Sequence, residues 1–179
     1  MRAVTLAHAY YALAAFLLIA GWLIVADAPV LRSFRRSKTA TTLLGFVAVA
    51  WFAWWLLNIP EADLAGLPRL PVIIGFVGFS LLTFVYMPDF LSVRALAVVM
   101  LFLARHALDA GYRQLPHSLL AASVSYGVLV LFGFWWACSP PVFCRQCDWV
   151  LATGARRKVV GALCFLLAAA CVGQSFRLP

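Results

Sequence analysis

The chain has 179 residues and a formal net charge of +8, with 65% hydrophobic and only 11% charged residues. Soluble domains are close to half apolar and about one quarter charged, so a water-soluble globular domain is excluded. The basic residues sit in short connections between apolar runs, which also removes nucleic acid as a partner.

The apolar residues come in long unbroken runs and not in the alternating segments of about ten residues that a barrel requires. The fold class is therefore all-α, a polytopic helical membrane protein forming a single integral membrane domain over 1–179. A spanning helix needs about 20 residues. Read against proline and glycine punctuation, the runs predict six spans at 8–26, 40–59, 71–87, 90–110, 118–138 and 158–175, or five if the fourth lies partly at the interface. A short interfacial amphipathic helix is expected near 140–153.

In chain order, the first span opens with His8 and runs into Ala26-Asp27-Ala28. With Arg2 and the apolar run from Ala12 to Val25 it imitates a signal peptide. Cleavage after Ala28 would leave Pro29 at the new terminus, so the segment is read as a retained helix. The first loop carries Arg32, Arg35, Arg36 and Lys38, and the second span places Trp51, Trp54 and Trp55 toward its far end. The third span contains Gly75, Gly78 and Ser80, small residues that let helices approach, and Pro88 follows it as a candidate break.

The fourth span is the weakest by hydropathy and the richest in charge. Arg94 and Arg105 are eleven residues apart, three turns plus about 20°, and Asp109 follows by four, so all three share one face. Charge within a span carries a functional expectation; the stripe is expected to turn toward the bundle and to contact a ligand or partner. A packing seam, Arg105 with Asp109 and Arg94 with Asp89, is the competing reading. His106 lies late in this span and His117 at the start of the fifth, so with His8 all three histidines fall near one face. Imidazoles from separate helices at one depth are the groups that ligate haem, copper or zinc, or bind a quinone. These three stand near helix ends, and no cofactor is predicted. Ser123, Gly127 and Gly133 are the close-packing residues of the fifth span, which ends on Trp135 and Trp136.

Ser139-Pro140-Pro141 starts a helix, with Ser139 as N-cap, and Phe143, Cys147, Val150 and Leu151 recur at amphipathic spacing up to Gly154. Cys144 and Cys147 have the spacing of a redox pair or half a zinc site. Only Cys138 and Asp148 stand nearby as further ligands, no histidine is expected on this side, and the loop is expected in a reducing compartment, so the pair is read as packing residues, with neither disulfide nor metal. Arg145, Arg156, Arg157 and Lys158 make this loop basic, and Gly161, Cys164, Ala168, Ala169 and Cys171 give the sixth span a small-residue face.

With six spans the first, third and fifth loops share one side and hold nine basic residues, against five on the other. By the positive-inside rule both termini lie outside. The excess of Arg over Lys is typical of a GC-rich bacterial genome and hence of a bacterial cytoplasmic (inner) membrane. The leading function is a non-enzymatic accessory or assembly subunit whose partners are membrane lipid and other membrane protein subunits. The alternatives are a small-solute or lipid-binding transporter using the charged stripe, and a membrane redox protein using the histidines.

Overall fold

In lipid every backbone polar group must be satisfied within its own segment, and a computed structural model, which describes residues 5–58, 67–86 and 90–178, is helical with no strand among those residues. The elements are α1 (Leu6–Val25), α2 (Pro29–Ser33) with a 3₁₀ turn (Phe34–Arg36), α3 (Lys38–Asn58), α4 (Arg69–Tyr86), α5 (Leu91–Ala110), α6 (Leu119–Cys138), α7 (Pro140–Leu151) and α8 (Gly154–Ser175). Five helices, α1, α3, α5, α6 and α8, are long and apolar enough to span a membrane.

Local chemistry sets the ends. Thr5 caps α1 by accepting the His8 N–H, and the Ser37 hydroxyl accepts the Ala40 N–H at the start of α3. Past Val25 the chain reverses with Asp27 in the left-handed region (φ 49°), its N–H donating to the Ile24 carbonyl and that of Ala28 to Leu23. Those two bonds are the Schellman pattern, with aspartate where glycine is usual. Thr153 caps α8 through the Arg156 N–H. This helix consequently begins a turn earlier than expected, and Arg156, Arg157 and Lys158 lie on helix and not in a loop. Gly154 opens α8 and does not end α7. Ser139 occupies the N-cap position of α7, but its hydroxyl makes no capping bond; Pro140 at the first position initiates the helix.

The hydropathy ranking of the third and fourth segments is reversed. α5 is the central helix: half of it is buried inside the protein, against a third or less of the other four. Its charges dilute its hydropathy, yet they stand toward its two ends, while Ala95, Ala97, Ala104 and Ala107 make its middle narrow enough to be surrounded. α4, by contrast, is peripheral and packs on α3 through Phe76 and Phe52 (ring centroids 3.8 Å apart). A Cβ on Gly75, Gly78 or Gly127 would meet nothing within 4 Å, so these three glycines serve no close approach. Of the glycines expected to let helices approach, Gly133 does so against Leu101 and the Ala97 carbonyl, and Gly161 against Val25 and the Gly21 carbonyl. Ala168 is buried, whereas Ala169 is exposed. Gly21 and Gly161 let α1 and α8 run together along most of their length. Leu6, Leu13, Leu17, Leu103, Val124 and Leu129 fill the core they share with α5 and α6.

Side-chain pairs fix the helix directions. Trp51 stacks on Phe102, Trp55 lies under Arg105, and the Ser92 hydroxyl donates to the Phe34 carbonyl (2.7 Å), so α3 and α5 run parallel. The chain has to return between them, and α4 does so: Arg69 donates to the Leu57 carbonyl (3.0 Å) beside the end of α3. Pro60, Pro88 and Asp89, including the expected Asp89–Arg94 pair, lie outside the described residues.

Candidate functional site

The two ends of the bundle carry its polar chemistry. At one end are the start of α1, the end of α5 and the turn before α6. Tyr10 of α1 is fully buried; its hydroxyl donates to the His117 carbonyl (2.5 Å) and accepts the Ala121 N–H (3.3 Å). The Ser118 side chain makes no capping bond, so a tyrosine from another helix satisfies one of the orphan donors of α6.

Two of the three predicted histidines make ring contacts, each with a different group. His8 is exposed and bonds to its own cap, Thr5, through Nδ1; His106 meets the Trp51 ring edge-on at 6.0 Å; and of His117 it is the backbone carbonyl that is used. Among the described residues no three His, Cys, Asp or Glu side chains stand together as a metal site.

The C-terminal half of the charged stripe lies along the seam between α3 and α5. The Arg105 guanidinium sits 4.4 Å from the Trp55 ring centre, and its Nε is 3.5 Å from Asp109. Their side chains are 51% and 72% exposed, so this half does not face the bundle interior. The side chain of Arg94, half-buried in the first turn of α5, makes no ion pair or hydrogen bond among the described residues.

At the opposite, basic end, Asp27 joins three elements. Arg32 donates to both carboxylate oxygens at 2.9 Å, and Arg157 of α8 reaches one of them at 2.5 Å. The Arg32 hydrogen bonds, helped by the Arg157 charge, hold the Asp27 carboxyl below the usual carboxylate range. The triad also offsets a liability, because cations at a helix N-terminus oppose its dipole and α8 begins with three.

α7 packs its apolar side inward. Phe143 is buried edge-on against Trp136 (4.8 Å) and beside Phe34 (5.3 Å), while the Trp136 indole N–H donates to the Gln146 side-chain oxygen (2.7 Å). Cys144 and Cys147 are free thiols on this helix. Burial pushes both up, Cys147 to about 12, so at neutral pH they are protonated and poor nucleophiles. An open cleft of about 310 Å³ lies where α6 meets α7, lined by Trp135, Val142, Arg145, Gln146 and Trp149. Neither Tyr10 nor Asp27 nor this cleft is marked by a sequence motif; the left-handed Ala-Asp-Ala turn is the nearest to a signal. Comparison with protein-family models, curated proteins and solved structures finds no match to this chain.

Proposed function

We propose that the protein is a six-crossing integral membrane protein of a bacterial cytoplasmic membrane, with both termini on the outer face, acting as a non-enzymatic accessory or assembly subunit. α4 is the sixth crossing, since parallel α3 and α5 need a return path. The nine-to-five division of basic residues supports the orientation. The observation that carries the functional reading is how the buried and half-buried polar groups are used. Tyr10, Ser92, Asp27 and Gln146 each hold one helix or turn against another, and the cleft between α6 and α7, like a smaller one lined by Arg32 and Asp148, opens at the surface. A molecule built this way presents its surface for recognition.

Purification from its native membrane in mild detergent tests the proposal. A membrane protein should copurify in fixed stoichiometry and be lost on substitution of exposed aromatic residues of α3, such as Phe46 or Trp54. Visible haem absorbance in the purified protein, or solute uptake by vesicles containing this chain alone, would overturn the accessory reading in favour of redox or transport.

A further inference from the structure

The cleft between α6 and α7 combines two chemistries. Val142, Arg145, Gln146 and Trp149 are spaced by three and four along α7 and form one helical stripe. Trp135, from the last turn of α6, closes the other side. Trp135 and Trp149 are 48% and 56% exposed, walls of the kind that sit at headgroup level in a bilayer. Between them the Arg145 side chain is exposed and makes no ion pair or hydrogen bond among the described residues. Gln146 uses its oxygen on Trp136, which leaves its amide N–H groups as donors.

Trp149 is held from behind. The Arg156 guanidinium stacks 4.6 Å from its ring centre and donates to its carbonyl (3.2 Å), which brings a second cation beside the cleft. Asp148, the one acid of α7, lines a separate, smaller cleft with Arg32 and leaves the Arg145 charge uncompensated.

We infer that this cleft binds the headgroup of an acidic glycerophospholipid: Arg145 forks onto the phosphate, Gln146 donates to the glycerol oxygens, and Trp135 with Val142 takes the first acyl carbons. An arginine fork suits phosphate better than a point charge does, and apolar walls suit a lipid better than a free anion. The inference goes beyond the accessory role and holds whether or not a protein partner exists.

Native mass spectrometry in mild detergent, with dioleoylphosphatidylglycerol or dioleoylphosphatidylcholine added, tests it. The wild-type protein should retain one phosphatidylglycerol in preference to phosphatidylcholine, and millimolar inorganic phosphate should not displace it. Arg145→Gln should weaken retention at least about fivefold, the effect of one basic residue near an anionic surface. Trp149→Leu should weaken it too, and Arg36→Gln, outside the cleft, should not. Equal retention of the two lipids by the wild-type protein would overturn the site without recourse to any variant. Displacement by phosphate would make it a free-anion site, and equal losses in Arg145→Gln and Arg36→Gln would reduce it to diffuse attraction by the basic end.

Discussion

Tyr10 and Asp27 each do with one side chain what a local motif does elsewhere. Removing the Tyr10 hydroxyl leaves a buried N–H and a carbonyl without their partner, so Tyr10→Phe should cost about 1–3 kcal/mol. The loss should show in unfolding in detergent and in faster hydrogen exchange at Ala121. Asp27 carries a depressed carboxyl pKa, and such a group adds stability that is complete above the ordinary carboxylate value and fades as pH falls through the lower folded value. Below about pH 4 the wild type should therefore lose thermal stability, while Asp27→Asn should start lower and stay flat over that window. Thiol chemistry follows burial in the same way: a maleimide near neutral pH should modify Cys144 before Cys147, and metal analysis should find no zinc on the pair. One zinc per chain would defeat the packing reading of these cysteines.

The helix pair α1–α8 depends on glycine at one point above all. A Cβ on Gly161 would stand 2.2 Å from the Val25 side chain, so Gly161→Ala should cost about 1–3 kcal/mol by overpacking. The double variant with Val25→Ala should recover much of that loss. Gly78→Ala is the control, since nothing stands within 4 Å of that position and alanine should be neutral or slightly stabilising there. Sequence periodicity coincides with helix at α1, α3, α4, α5, α6 and α8, because an apolar chain has few alternatives to helix, but nothing in it announces the short α2 (Pro29–Ser33) within the first loop. It could not tell Gly161 from Gly127, because both sit in apolar spans and only the neighbouring helix decides which needs the space. Nor did hydropathy identify α5 as central: Arg94, Arg105 and Asp109 lower its score, whereas its role rests on alanines that hydropathy counts lightly. The Tyr10 tie and the cleft at Arg145 were equally out of reach, since each joins residues from different helices.

For the whole molecule, the directions of α3, α4 and α5 and the three-way junction at Asp27 gather the basic segments at one end. Single reporter cysteines placed in 30–37 or 152–158 of a cysteine-free variant should be shielded from an impermeant thiol reagent added outside, and one at Ala65 should react. Labelling of either basic segment from outside would reverse the orientation. The two ends also differ in how they are held. The Asp27 junction joins elements through ion pairs that salt screens, whereas at the other end α1 and α6 are tied by the hydrogen bonds of a buried tyrosine, so raising ionic strength should loosen the Asp27 junction before the Tyr10 tie.

Between Ser125 and Val130, α6 widens into a π-helical turn, and the Ser125 hydroxyl within it is buried with no hydrogen-bond partner among the described residues. A π turn accommodates one residue more than the α-helix on either side of it, which gives the feature a meaning in the history of the chain. Deleting one residue there, at Gly127 where the space is open, would restore the ordinary hydrogen-bond register and leave Gly133 against α5 and Trp135 beside α7. Related chains one residue shorter in α6 should then align with a gap inside 125–130 and nowhere else in the helix.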